Sequence, residues 1–484
     1  MLLHIGRDKA LKMAKVLYLR CTSCGATYDF DINLKLCKKC GSGLSIELSY
    51  DSKFEPLNSQ VGLWKFALVL PEVEEKFRIS LGEGNTTLHR SKRIEKELGI
   101  KELFLKDETI EPTGSYLDRS SALFVSFALM HGVRRIITYS TGNLGASLAA
   151  YSSKAGISLQ AYVKQGIDLG KLYQMIAYGA SVSVVETFKE LKGKNGTVTV
   201  TEYDPLVNEA KKTIMEEVFF QLSSRLPDYV IVPMGEGGLT YATYKALDEL
   251  KILKNTRDKK TRIIGVQPEG CEPIVKAYSR ALDSVELEVA PKTRIFDLSV
   301  TNPRFGSAAL RAIKETGGIA VSVNEEEILD AISFLAEKEG LLAEPAASLT
   351  IAALRKLIEQ GEINKESTIV CFITGSGLKD PKILKELALR KSNLGALIEE
   401  LSGGKKLNST KMKILKILSE KDAYGYQIWK ELREKYALGI KIPTVYQHLF
   451  DLINEGYVEK SVTLTTSGRK RTYYKLTDRG KALI

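Results

Sequence analysis

Cys21-x-x-Cys24 and Cys37-x-x-Cys40 place four thiols in two pairs at metal-knuckle spacing, and each pair is followed by a glycine, Gly25 and Gly41. Glycine permits the tight turn that aims two sulfurs at one ion, and four thiolates satisfy tetrahedral Zn²⁺ with no open position. The chemistry implied is structural: a zinc ribbon over 16–48 rather than a catalytic metal. Cys271 and Cys371 read as isolated reduced thiols. This cysteine usage suits a reducing compartment, the cytoplasm.

A second group of residues has the chemistry of an anion cradle. Pro233-Met234-Gly235-Glu236-Gly237-Gly238-Leu239 follows the apolar run Tyr229-Val230-Ile231-Val232. Glycines let backbone N–H groups approach a phosphate closely. Glu236 would repel that phosphate if it pointed inward, so an anion there requires it to point outward. Ser140-Thr141-Gly142-Asn143 follows the β-rich run Arg135–Tyr139 and precedes a small-residue helix, Ala146 to Tyr151. A helix N-terminus offers free N–H donors and a positive dipole end. Thr374-Gly375-Ser376-Gly377-Leu378-Lys379-Asp380-Pro381 follows a third strand, Ser367 to Ile373.

The stretch Lys106-Asp107-Glu108…Pro112-Thr113-Gly114-Ser115-Tyr116-Leu117-Asp118-Arg119 closely resembles a segment of threonine synthases. In that family a lysine follows the aromatic residue and forms the Schiff base with pyridoxal phosphate. Leucine stands there in this chain; an amine condenses with an aldehyde, and leucine cannot. The Ser140, Gly235 and Thr374 segments match the same family in order, as do Gly170-Lys171…Gln174…Gly179-Ala180 and Glu344-Pro345-Ala346-Ala347. The resemblance runs from about Cys21 to about Pro381. It implies an α/β fold, the two-lobed fold type II pyridoxal-phosphate enzyme (tryptophan synthase β-like) domain. It also implies that Asn143 meets the ring's phenolic oxygen, that Thr374 faces the pyridine nitrogen, and that Ser140, Thr141, Gly142, Gly235, Glu236, Gly237 and Gly238 complete the cradle. With Leu117 in the lysine position there is no catalytic residue to name, and any pyridoxal phosphate would be held non-covalently.

The formal charge of +11 is unevenly placed: from Lys405 onward there are 17 Lys/Arg against 8 Asp/Glu. Such asymmetry points to a polyanionic partner. Leu401-Ser402-Gly403-Gly404-Lys405-Lys406 reads as a linker, and three helices are expected after it: from Ser409 or Thr410, from Tyr424, and from Pro443. Two strands follow, Val458 to Thr465 and Arg471 to Leu476, joined by a Ser467-Gly468 turn with Arg469, Lys470 and Arg471. Three helices and a basic-tipped hairpin make a winged helix-turn-helix. Tyr-Gly-Tyr-Gln-Ile, Thr-Val-Tyr-x-x-Leu and Gly-Arg-x-Arg-x-Tyr-Tyr resemble PadR-like transcription regulators. The resemblance implies double-stranded DNA as partner, with the helix from Pro443 in the major groove. Thr444, Tyr446, Gln447 and His448 are the groove-facing candidates, Gln447 having the reach for adenine. Tyr446 and Leu449 have a core reading as well, the stronger for Leu449. Arg469, Lys470 and Arg471 suit phosphates.

The domains expected are an N-terminal extension over 1–15, the zinc ribbon over 16–48, a threonine synthase-like domain over 49–396, a linker over 397–408 and the winged helix over 409–484. No apolar run approaches the roughly 20 residues of a membrane helix, and no signal peptide is evident. One function consistent with these features is a DNA-binding regulator, dimeric through its large domain, in which a retired enzyme senses pyridoxal phosphate or an amino-acid-like ligand. Another is an active threonine synthase whose amine is supplied by Lys106, Lys171 or Lys379. A third is a scaffold without ligand.

Overall fold

The computed structural model describes residues 14–50, 54–140, 142–186, 196–254, 256, 260–288, 290–293, 295–391, 409–466 and 469–484. The chain divides into two compact units, Met1–Leu384 and Lys385–Ile484. The expected linker and most of the N-terminal extension lie outside the described residues.

The larger unit is built on two mainly parallel sheets. One has six strands in the order Ile319–Val323, Arg262–Pro268, Tyr229–Pro233, Thr368–Ile373, Glu102–Asp107 and Leu88–Arg90, with only the last antiparallel to its neighbour. Tyr229–Pro233 is buried along its whole length, which is why its sequence is uninterrupted apolar rather than alternating. The other sheet has four parallel strands in the order Ser181–Val184, Ser158–Val163, Arg135–Tyr139 and Thr197–Val200. Separate apolar clusters pack against the two sheets. The α/β class read from the sequence is therefore the observed one.

The cysteine segment forms a three-stranded antiparallel sheet of Thr27–Tyr28, Lys15–Cys21 and Leu44–Ser49. It is part of the larger unit rather than a separate body. Leu19, Leu44 and Ile46 share one apolar cluster with Leu117, Leu123 and Phe124.

The second unit has helices Ser409–Glu420, Gly425–Tyr436 and Ile442–Asn454, then an antiparallel hairpin. Ala423–Tyr424 adds a third strand beside Arg469–Leu476. Ile414, Ile428, Leu432, Val445, Leu449 and Leu452 form its core. In the hairpin Thr466 pairs with Arg469 and Thr465 with Lys470, so both basic residues belong to the strand and not to the turn. The expected Ser467-Gly468 turn lies outside the described residues.

Candidate functional site

Three loops at strand ends converge on one pocket. Helix Leu117–Met130 starts at its edge, with the Thr113 N–H and hydroxyl donating to Asp118 in the first turn at 2.6 Å each. The Tyr116 N–H donates to the Thr374 carbonyl (3.0 Å) and the Ser376 N–H to the Gly114 carbonyl (2.9 Å). These bonds hold Leu117 beside Thr374. Leu117 is 2% exposed and its side chain lines the pocket with Tyr116, Asn143 and the 235–239 loop. Burying a leucine there stabilises the fold by roughly 1.5–3 kcal/mol.

Asn143 opens helix Asn143–Ala155. Its amide donates to both oxygens of Glu344 at 3.0 Å, and its Oδ1 has no hydrogen-bond partner among the described residues. Ser140 does a different job: its hydroxyl oxygen accepts the Gly142 and Gly145 N–H groups at 3.0 Å, which caps the helix. Gly142 precedes Asn143, and Thr141 lies outside the described residues. The glycine loop leads into helix Gly238–Lys254. A Cβ on Gly238 would meet Asn208 Oδ1 at 1.9 Å and one on Gly237, at φ +83°, the Phe305 carbonyl oxygen at 2.8 Å, so both positions need glycine.

Glu236 does not point outward. It lines the pocket, and its Oε2 accepts the Arg304 N–H at 2.8 Å, a donor no sequence pattern placed there. Burial pushes its carboxyl up to about 7, with Glu202 adding to the rise and the Arg304 N–H and Lys211 opposing it. Glu202, Asp297 and Glu344 line the same pocket. Burial, with Glu344 alongside, pushes Asp297 up to about 7 against the pull of Lys171. Lys171 bonds Asp297 and lies 3.0 Å from Asp168 and 3.5 Å from Glu344. Burial alone would lower its ammonium; the three carboxylates outweigh burial and raise it.

Lys106 is buried away from the pocket, donating to the Thr86 carbonyl, Glu217 and Gln221 at 2.7–3.0 Å. Lys379 is buried with no partner for Nζ among the described residues, and burial lowers it to about 8. Among the described residues the lysine in the pocket lining is Lys211, absent from the sequence-based candidates. It donates to Asn208 Oδ1 at 3.0 Å, and its Nζ is 3.2 Å from where a Gly238 Cβ would sit. Burial lowers it to about 8 against the pull of Glu202 and Glu236.

The four expected metal ligands, Cys21, Cys24, Cys37 and Cys40, bring their sulfurs within 4.8 Å of one another. Cys21 and Cys40 are 3.4 Å apart, Cys24 and Cys37 3.6 Å. A tetrahedral ion with Zn–S of about 2.3 Å needs sulfurs about 3.8 Å apart, so the group fits one ion.

In the second unit, Thr444, Tyr446 and Gln447 are exposed on helix Ile442–Asn454 and His448 is half-buried. Gln447 donates to Asp451 at 3.1 Å. Leu449 is in the core. The Tyr446 ring lies over Gly425, where a Cβ would meet it at 2.5 Å. The Arg471 guanidinium sits 4.8 Å over the Tyr424 ring, so part of its surface is already engaged. The side chains of Arg469 and Lys470 lie outside the described residues.

Residues 79–375 match the family of pyridoxal-phosphate dependent enzymes, and residues 414–484 the PadR-like family of transcriptional regulators. Threonine synthase of Methanocaldococcus jannaschii is 37% identical over 377 residues, 75% of this chain and 93% of that protein. Threonine synthase of Methanosarcina acetivorans is 36% identical over 403 residues, 80% of this chain and 99% of that protein. The chain belongs to the threonine synthase-like, pyridoxal-phosphate-dependent enzyme family. Its C-terminal domain is PadR-like. Among solved structures, the processed form of threonine deaminase isoform 2 from Solanum lycopersicum has a TM-score of 0.54 at 20% identity, covering 66% of this chain and 90% of that one, a likeness of fold.

The family's cofactor can be tested against this threonine synthase-like pocket. Asn143 and Thr374 are both in the lining. The charges are wrong: Glu202, Glu236, Asp297 and Glu344 line the pocket with Lys211, of these four Lys171 pairs with Asp297 and Glu344 only, and Glu236 sits in the loop itself. Leu117 offers no amine. The lining does not fit a dianionic phosphate ester. Glu202, Lys211 and Asp297 escaped the sequence reading because they belong to no motif and are brought in from separate segments.

Proposed function

We propose that this protein is a transcriptional regulator in which a catalytically retired threonine synthase-like domain senses an amino-acid-related ligand and controls DNA binding by a C-terminal winged helix. The observation that carries this reading is Leu117: a buried leucine in the pocket wall where the family's amine belongs, in a chain that also holds a PadR-like domain. The helix order and the hairpin of the second unit support a winged helix whose helix Ile442–Asn454 enters the major groove. The cysteine geometry supports structural zinc. The regulator acts as a homodimer, so that two winged helices address two half-sites. A ligand controls DNA affinity only through unequal affinity for two states, and the coupling is reciprocal.

The test uses the full chain and DNA from upstream of its own gene. Affinity is measured alone and with each amino acid, phosphohomoserine and pyridoxal phosphate. One ligand should change it; identical affinity with every one contradicts the reading. A second reading, an enzyme with a displaced lysine, is favoured by one observation, the buried amine of Lys379, which has no hydrogen-bond partner among the described residues.

A further inference from the structure

The bonds that cross the pocket tie the two sheets of the larger unit together. Asn143 and Lys171 belong to the four-stranded sheet. Helix Asn143–Ala155 links its strands Arg135–Tyr139 and Ser158–Val163, and helix Leu169–Ala177 links Ser158–Val163 to Ser181–Val184. Asp297 and Glu344 belong to the six-stranded sheet. Asp297 lies between strands Arg262–Pro268 and Ile319–Val323, and Glu344 precedes helix Pro345–Glu359, which leads to Thr368–Ile373. Three contacts therefore run from lobe to lobe: Lys171 to Asp297, Lys171 to Glu344 at 3.5 Å, and the Asn143 amide to both Glu344 oxygens at 3.0 Å. Each sheet has its own apolar cluster, and the chain passes between the sheets twice, after Asp107 and after Val200. Two connections of this kind leave lobes free to hinge unless something across the cleft holds them.

The packing around the bridge is tight on both sides. The Lys171 stem lies against Gly142, where a Cβ would meet its Cδ at 2.5 Å and Asp297 Oδ1 at 3.5 Å. Gly170 packs on the Lys379 carbonyl oxygen, which a Cβ would meet at 2.2 Å, so this helix rests directly on the Gly377–Lys379 turn of the other lobe. Lys171 and Glu344 are 1% and 2% exposed, and the cavity that remains is about 50 Å³. A buried ion pair is attractive but heavily desolvated, so its net hold is small, and opening the cleft returns both charges to water. Such a contact keeps two bodies together and releases them without exposing an apolar core.

We propose that Lys171, Asp297, Glu344 and Asn143 form a latch that holds the two lobes closed over the pocket, and that a molecule enters only by releasing it. The latch is made wholly of this chain's own side chains. It sets a closed state that competes with occupancy of the pocket, whatever the occupant. It depends neither on DNA binding nor on the identity of a ligand, so it stands or falls apart from the regulator reading.

The test is hydrogen exchange on the full-length protein and three variants, without ligand or DNA. In Lys171→Met and Asp297→Asn, exchange should speed up by roughly ten- to a hundredfold, the effect of losing a hydrogen bond to a charged group. The rise should appear on both faces of the cleft together, at 142–147 and 171–175 on one side and at 296–300 and 344–348 on the other. Strands Arg135–Tyr139 and Tyr229–Pro233 should exchange as before, which separates an open cleft from a misfolded chain. Gly170→Ala wedges the helix off the opposite turn and keeps all four latch side chains; it should speed exchange at the same segments. Combining Lys171→Met with Asp297→Asn should not exceed the larger single effect, because both break one contact. Unchanged exchange in both charge variants, or a rise confined to one lobe, would overturn the proposal. So would protection lost throughout both sheets, which would make the bridge a part of the folded core and not a latch.

Discussion

The peptide of Arg304 joins Glu236 to the cysteine ribbon. Its N–H donates to Glu236 Oε2 at 2.8 Å, and its carbonyl accepts the Gly43 N–H, also at 2.8 Å. Gly43 lies three residues past Cys40 and packs on the Phe305 ring, where a Cβ would meet it at 2.4 Å. The cysteine knuckle thus buttresses the turn before helix Gly306–Thr316, which fixes the orientation of a pocket carboxylate.

Stripping the proposed zinc should therefore be felt in the pocket. With a chelator present, hydrogen exchange at 41–43 and 303–306 should speed up together, and the melting temperature should fall. Faster exchange at 41–43 alone would mean that the ribbon and the pocket are uncoupled.

The pH dependence of stability follows from Glu236 and Asp297. Glu236 rises from an ordinary 4.5 to about 7 and Asp297 from 3.8 to about 7, chiefly through burial. Between those values the folded chain holds protons that the unfolded chain has released. Stability contributed this way is present at low pH and is lost as pH rises through about 7. Melting measured across that window should show a decline that Glu236→Gln reduces; an unchanged profile in the variant would refute the assignment.

Arg119 is fully buried between carboxylates, 2.7 Å from Glu108 and 2.8 Å from Glu217, with Glu111 at 3.2 Å. Lys106 shares Glu217 at 2.7 Å. Removing one partner of a buried ion cluster strands charge in the core. Arg119→Met should destabilise the larger unit by about 3–5 kcal/mol in urea unfolding; a loss under about 1 kcal/mol would mean the cluster is compensated by protonation.

For DNA, Gln447→Ala should weaken a specific site by about 1–3 kcal/mol, the range for a bidentate adenine contact, and spare non-specific binding. In this structure Gln447 is engaged with Asp451, so DNA must replace that bond. Equal losses on specific and random DNA would assign Gln447 to backbone contact instead.

The parts legible in sequence were those carried by contiguous segments. The cysteine pairs, the strands ending at Tyr139, Pro233 and Ile373, and the helix starting at Asn143 announce themselves by spacing, apolar runs and glycine. Glu236 was visible but its direction was not, because that depends on Arg304, 68 residues away. Asp297 and Glu202 reach the pocket from segments with no motif, and the acidity of the lining exists only after the two sheets are brought together. Tyr446 shows the same limit: helical spacing left it between core and groove, and its contact with Gly425 decides that one edge packs while 46% stays exposed.

The central claim is that this threonine synthase-like domain has lost its covalent hold on pyridoxal phosphate. The direct test is to mix the full-length protein with one equivalent of pyridoxal phosphate, record the visible spectrum, reduce with borohydride and weigh the protein and its peptides. The account predicts no stoichiometric adduct and no shifted absorption band. A single phosphopyridoxyl group on one lysine, Lys211 or Lys379 above all, would contradict it and return the domain to the enzymes.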